Sequence, residues 1–259
     1  MKYIEDCIIL KNELVVEDIY VMELLSKYIV KKCTPGQFIQ IKVSEGLGLD
    51  PLLRRPISIN DIDKEKGIIK LYYKVIGKGT GIMKSFRDGQ KLNVMGPLGN
   101  GFDINNEGKN IAIVGGGIGV APLLYLSRIL SKKNNISVFL GFNDKPYMNE
   151  IREHCKKIYI SSMKDEEVGY KGFITEVFIK FLTKNNIDLI YSCGPNPMLN
   201  EIIDISNKFN IPCQISLEER MACGFGACLG CSIETANGEM KKVCKDGPVF
   251  WGNEVKLNG

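Results

Sequence analysis

Apolar positions in the first hundred residues fall in short runs, at 7–10, 20–24, 37–43, 68–76 and 91–95, separated by turn residues such as Pro35-Gly36. Many short strands divided by turn signals predict an antiparallel β-barrel or sandwich. From residue 110 the rhythm changes. Apolar runs at 111–114, 136–140, 158–160, 189–192 and 213–217 alternate with segments of helical period at 122–131, 175–182 and 197–209. Strand alternating with helix predicts a parallel sheet with helices on its faces. From residue 218 onward Gly and Cys dominate and neither period persists, so this last segment is expected to owe its order to something it binds. The expected organisation is a β-barrel over 1–102, an α/β domain over 103–217 and an irregular segment over 218–259.

Composition narrows the function classes. With 259 residues, 44% hydrophobic and 25% charged, the chain can bury more than one core, which argues against disorder and against a disulfide-dependent miniprotein. A net charge of +4 without a long basic run offers no footprint for a phosphate backbone, so no nucleic-acid partner is expected. The longest uncharged apolar stretch, 111–126, is interrupted by Gly115, Gly116, Gly117, Gly119 and Pro122 and falls short of the roughly 20 residues a membrane span needs. The first residues carry Glu5 and Asp6 and lead into no cleavage site. The expectation is a soluble, cytoplasmic protein with no membrane partner.

Nine cysteines are present and four of them fall between Cys223 and Cys244, a clustering that suggests metal or redox use rather than a disulfide framework. The spacing is C-x4-C-x2-C through Cys223, Cys228 and Cys231, then twelve residues to Cys244. This is the pattern of plant-type 2Fe-2S ligation, in which a tight loop wraps one side of the cluster and a separate segment supplies the last thiolate. Gly224, Gly226 and Gly230 allow close backbone approach and positive φ. A structural zinc site is the alternative, but zinc ligands usually come in two short-spaced pairs and only Cys228 and Cys231 form one.

A second motif is the run 110–124, where an apolar strand enters GGGIGVAPLL. A strand passing through glycines into a helix suits a phosphate, yet G-x-G-x-x-G fails whether counted from Gly115 or from Gly117. Asp144, beyond the second strand of this region, is a candidate for ribose hydroxyls or a plain turn residue, and its acidity favours NAD(H) over NADP(H) unless Lys145 or Arg152 compensates. Cys193-Gly194-Pro195 follows the fourth strand, at the sheet edge where ligands collect. His154, the only histidine, lies among charged residues and reads as a surface side chain. No acid–base dyad is evident, so no catalytic side chain is assigned.

These motifs together resemble the ferredoxin-reductase superfamily, end to end. More closely, the chain is similar to the electron-transfer subunits of the two-subunit, NAD-linked (type B) dihydroorotate dehydrogenases. Pro35-Gly36-Gln37-Phe38 resembles an early barrel strand, and Arg55-Pro56-Ile57-Ser58 the flavin motif. Tyr72-Tyr73-Lys74 and Gly79-Thr80 resemble the next two FAD-contacting stretches, and residues 96–102 the exit from the flavin barrel. Gly116, Gly117 and Gly119 with Ala121-Pro122-Leu123 resemble the nicotinamide-nucleotide loop, which accounts for the failed Rossmann count. Cys193 and Gly194 then correspond to the place where nicotinamide meets flavin. The tail from Glu219 to Phe250 is the most specific match. Related subunits of bifurcating NADH-ferredoxin-NADP oxidoreductases tend to carry Asp at the position of Cys223, where this chain has Cys.

The resemblance implies an oxidoreductase subunit that carries FAD and a 2Fe-2S cluster and uses NAD(H) as substrate. It also implies a partner, an FMN-containing catalytic subunit that oxidises dihydroorotate in pyrimidine biosynthesis, assembled as a heterotetramer of two copies of each. The alternatives are the reductase subunit of another flavin iron-sulfur complex (ferredoxin oxidoreductase, sulfite reductase or hydrogenase) and a non-enzymatic zinc or redox-sensing protein.

Overall fold

The computed structural model describes residues 2–44, 50–165, 167 and 169–257. The chain packs as two compact units, each assembled from three stretches: Met1–Gly101 with Glu218–Ser232 and Lys242–Pro248, and Phe102–Leu217 with Ile233–Lys241 and Val249–Gly259.

The first unit is built on a closed antiparallel barrel. Its strands are β1 (Tyr3–Val16), β2 (Ile19–Leu25), β3 (Phe38–Ile41), β4 (Arg55–Asp63), β5 (Ile68–Lys74) and β6 (Lys91–Leu98), in the spatial order β1-β2-β5-β4-β3-β6. Closure leaves no unpaired edge. Two short helices, α1 (Ile29–Lys32) and α2 (Lys78–Met83), sit in the connections. Alternation supplies the core: Ile39 and Ile41, Ile57 and Ile59, Ile69 and Leu71, and Leu92 and Val94 are all buried and lie two residues apart on their strands. The register of β4 against β5 shifts between Ile59 and Asp61, which locally breaks this alternation. β4 lies outside the apolar runs of the sequence, because its polar opening Arg55-Pro56 hides the periodicity. β1 is much longer than its apolar run, because its ends are solvent-facing pairs that barrel closure holds.

In the second unit the parallel strands are β7 (Asn110–Gly116), β8 (Asn135–Phe142), β9 (Lys157–Ser162), β10 (Tyr170–Lys171), β11 (Leu189–Cys193) and β12 (Cys213–Ser216). The helices are α3 (Leu123–Leu130), α4 (Ile174–Leu182) and α5 (Asn196–Phe209). Phe139 of β8 anchors the packing, with its ring 4.9 Å from Tyr159 and 4.8 Å from Phe178. The tail adds β13 (Ser232–Glu234), β14 (Met240–Lys242) and β15 (Val249–Trp251). β13 pairs with β14, and β15 lies antiparallel beside β12, completing the order β10-β9-β8-β7-β11-β12-β15. The parallel sheet expected from the sequence is present and carries one antiparallel edge strand. That strand is three residues long and follows the cysteines, too short to show a period. Among the described residues no helix is long and apolar enough to cross a membrane.

Candidate functional site

On the barrel, directly opposed residues of neighbouring strands project to the same face. Phe38 of β3 is opposite Ser58 of β4, and Gln40 is opposite Pro56. These four share the outward face, since the intervening Ile39, Ile41 and Ile57 fill the interior. Ile59 is opposite Leu71, so Tyr72 belongs to the outward set and Tyr73 to the interior. Tyr73 is 2% exposed, stacks on Tyr20 and donates its hydroxyl to Asn12 Oδ1 at 2.9 Å. Burial raises its pKa. Its side chain serves the barrel, while Tyr72 faces outward with Pro56 and Ser58.

Arg55 lies over the first turn of α2. A Cβ on Gly79 would stand 2.0 Å from Arg55 Nε and 2.8 Å from its Cδ, so glycine there is what lets the guanidinium rest against the backbone. Thr80 Oγ1 accepts from the N–H groups of Ile76 at 3.0 Å and Gly77 at 3.3 Å, which fixes the turn. Arg54, not singled out from the sequence, donates to the Asn93 side chain at 2.5 Å and to the Asn93 carbonyl at 3.1 Å, bracing β4 from the other side. An arginine held at a glycine turn, beside an outward face of Pro56, Ser58 and Tyr72, is a donor set that fits a dinucleotide flavin.

The four cysteines belong to this same unit. They form two pairs. Cys223 and Cys228 have their sulfurs 3.3 Å apart, and the Cys244 N–H points to Cys231 Sγ at 3.4 Å. Gly224 at φ +75° and Gly226 at φ +93° turn the loop back on itself. Desolvation pushes the Cys223 thiol up, but the backbone N–H groups of Cys228, Phe225 and Ala227, with the Cys228 thiol, bring it down to about 6. Burial, with Cys231 alongside, pushes Cys244 up to about 12. Among the described residues no three His, Cys, Asp or Glu side chains gather around one point. Two thiol pairs fit two irons with two thiolates each, whereas a structural zinc would draw all four to one tetrahedral centre.

The barrel exit holds this loop in place, a role the sequence did not reveal. Asn100 donates through its N–H to Gly247 O at 2.6 Å and through Nδ2 to the carbonyls of Lys245 and Asp246. Gly99 touches Pro248 so closely that a Cβ would be 2.4 Å from its Cδ. Lys242 Nζ donates to Gly226 O at 2.9 Å.

In the second unit the order of strands reverses between β7 and β11, which makes their carboxyl ends the switch point of the sheet. Gly115 is in register with Cys193. A Cβ on Gly119 would lie 2.6 Å from both N and Cα of Gly194, so the glycine loop and the Cys193-Gly194 turn touch backbone to backbone. Gly116 and Gly194 are both packed by Met198 of α5, which belongs to no sequence motif. Tyr147 donates its hydroxyl to Gly117 O at 2.8 Å. Asp144 is ion-paired with Lys164 at 2.8 Å, rather than with Lys145 or Arg152. His154 ends a 3-10 turn, Asn149–His154, and is half-buried.

The iron-sulfur cluster binding domain of dihydroorotate dehydrogenase B matches residues 218–256. The dihydroorotate dehydrogenase B (NAD(+)) electron transfer subunit of Caldanaerobacter subterraneus subsp. tengcongensis is 40% identical over 250 residues, 95% of this chain and 96% of that protein. The subunit of the same description from Fusobacterium nucleatum subsp. nucleatum is 39% identical over 98% of this chain and 99% of its own. Among solved structures, that of an NADH-dependent reduced ferredoxin-NADP oxidoreductase, described for flavin-based electron bifurcation, superimposes with a TM-score of 0.88 at 30% identity, covering 96% of this chain and 89% of the other. With 40% and 39% identity to these subunits over nearly all of its length, the chain belongs to the family of electron transfer subunits of NAD(+)-linked dihydroorotate dehydrogenase B.

Proposed function

We propose that this chain is the nicotinamide-side subunit of a cytoplasmic dihydroorotate dehydrogenase, joined as a heterotetramer to two copies of an FMN-containing subunit that oxidises dihydroorotate in pyrimidine biosynthesis. Residues 1–102 serve the flavin, 103–217 the nicotinamide nucleotide and 218–259 the cluster. When bound, FAD supplies the exchange between a two-electron hydride at NAD(H) and the single electrons that a 2Fe-2S cluster carries.

The chain's own residues bind and orient. Arg55, beside Gly79 and Thr80, holds the pyrophosphate, and Pro56, Ser58 and Tyr72 border the flavin ring, with Ile57, Tyr73 and Lys74 contributing backbone. Cys223, Cys228, Cys231 and Cys244 supply the thiolates, and the amides aimed at Cys223 favour its deprotonated form. Gly116, Gly117 and Gly119 admit the dinucleotide to the backbone, and Cys193 and Gly194 form the floor beneath nicotinamide. No proton-transfer residue is needed for hydride exchange. Phe225, 45% exposed, and Leu229, 73% exposed, flank Cys228 on the outside of the loop and offer an apolar face to the partner subunit.

The observation that carries this reading is the pairing of thiols in a loop on the same barrel as the Arg55–Gly79 cradle. A second reading, reductase subunit of a ferredoxin-linked complex, is favoured by the structural neighbour with TM-score 0.88. The test is to assay the purified chain alone and with an FMN-type dihydroorotate dehydrogenase subunit co-expressed from the same genome. The chain alone reduces dyes with NADH and leaves dihydroorotate untouched, and the pair gains NAD+-dependent dihydroorotate oxidation. Ferredoxin reduction without any gain in dihydroorotate oxidation would select the second reading.

A further inference from the structure

Gln40 is the one polar residue of β3, whose sequence is Phe-Ile-Gln-Ile, and it is fully buried. Among the described residues neither its Nε2 nor its Oε1 finds a hydrogen-bond partner. A buried primary amide with both ends unmet costs folding free energy, and such a group calls for a partner that the protein itself does not supply. Its surroundings indicate which. On one side Gln40 is opposite Pro56 of the flavin motif, on the same outward face as Ser58. On the other it packs under the cysteine loop, so closely that a Cβ on Gly224 would stand 2.3 Å from Nε2 and 2.8 Å from Cδ. Gly224 immediately follows Cys223. Its positive φ and the absent Cβ are what make room for the amide.

The geometry points to Gln40 as a cofactor-contacting residue that joins the flavin face to the cluster loop, its Nε2 donating a hydrogen bond to sulfur at the Cys223 end of the bound cluster. Sulfur in a 2Fe-2S site accepts such bonds, and each donor stabilises the more negative, reduced cluster and so raises its potential. Gln40 therefore adjusts the one-electron step between cluster and flavin without taking part in hydride transfer. This rests on the functional reading above, in that it needs the cluster at these four cysteines.

The experiment uses the full chain co-purified with its partner subunit. Iron and FAD per chain are measured first, then the cluster midpoint potential by titration followed with electron paramagnetic resonance, for the natural protein, Gln40→Met and Gln40→Glu. Both substitutions keep the side-chain length and remove the donor. Expected is unchanged iron and FAD in Gln40→Met, with the cluster–flavin equilibrium shifted about tenfold against cluster reduction, about 59 mV for one electron. Gln40→Glu shifts further in the same direction, since it adds a charge. A residue that merely filled space would leave the Gln40→Met potential where it was, whatever the added charge does in Gln40→Glu, and that result in loaded protein overturns the inference while leaving the functional reading intact. If the natural protein holds no two-iron cluster, both fall. If Gln40→Met fails to load, the natural protein labelled with 15N-glutamine decides: a hyperfine coupling from side-chain nitrogen to the reduced cluster supports the contact, and its absence overturns it.

Discussion

The two units reach their sites by different routes. In the α/β unit, the glycine loop and the Cys193-Gly194 turn meet because β7 and β11 are neighbours in register, Gly115 beside Cys193. Sheet topology alone brings them together, and the contact is backbone on backbone. In the barrel unit, strands from the start of the chain meet a loop more than a hundred residues away in sequence, through Gln40 against Gly224 and Asn100 against residues 245–247. That loop has no ladder of its own through the first three cysteines. A site built on strand ends is set by the scaffold, whereas a site built from a glycine-rich loop draws on its cofactor for order.

Removing a ligand tests this contrast most severely. Cys228→Ala should abolish cluster loading and with it dihydroorotate oxidation by NAD+ in the reconstituted complex, while NADH-to-dye activity and bound FAD persist. Iron content and the two assays check it. Full coupled activity in cluster-free, FAD-loaded protein would mean that electrons do not travel by way of these cysteines.

The complementary change strikes the scaffold-set site. In Gly119→Ala the new methyl meets the backbone of Gly194 and Cys193, which no rotamer change relieves. Overpacking of this kind costs about 1–3 kcal/mol, and the KM for NADH should rise about tenfold, each tenfold being about 1.4 kcal/mol. Iron and FAD content should stay at natural levels; their loss would show that the two sites are not independent.

Arg55 offers a finer comparison within the barrel. Arg55→Ala removes a charge-assisted contact worth about 1.5–3 kcal/mol, so FAD should dissociate at least about tenfold more readily, measured by flavin fluorescence on dilution. Gly79→Ala meets only the movable Arg55 side chain and should lose less. Equal losses would indicate that the turn backbone, not the guanidinium, carries the contact.

The smallest effect belongs to the Asp144–Lys164 pair. Both side chains reach solvent, 31% and 73% exposed, and such pairs contribute up to about 1 kcal/mol. Asp144→Asn should therefore reduce the preference for NADH over NADPH by about fivefold or less in kcat/KM. A larger collapse would make Asp144 a direct ligand of ribose.

Much of this was legible in the chain. Short apolar runs divided by turn residues announced a barrel or sandwich, strand–helix alternation a parallel sheet, and the x4, x2, x12 spacing a two-iron site, because each is a local pattern imposed by backbone geometry or by the size of one cluster. Strand β4 and the edge strand β15 were hidden, the first behind Arg55-Pro56 and the second by its three-residue length. Which tyrosine of the pair 72–73 faces outward depends on register, a property of two strands rather than one.

What the sequence by itself determined was the inventory: four thiols, glycines where backbone must bend or approach, an arginine next to a proline, and an acid after a strand. Tertiary structure alone decided their company. Cys223 stands with Cys228 and Cys231 with Cys244, Arg55 rests on Gly79, Asp144 is held by Lys164, and Gln40 is sealed beneath Gly224. The physical reason is that spacing along a chain fixes only neighbours within a turn or a strand, while contacts between residues far apart in sequence follow from which surfaces must be buried together.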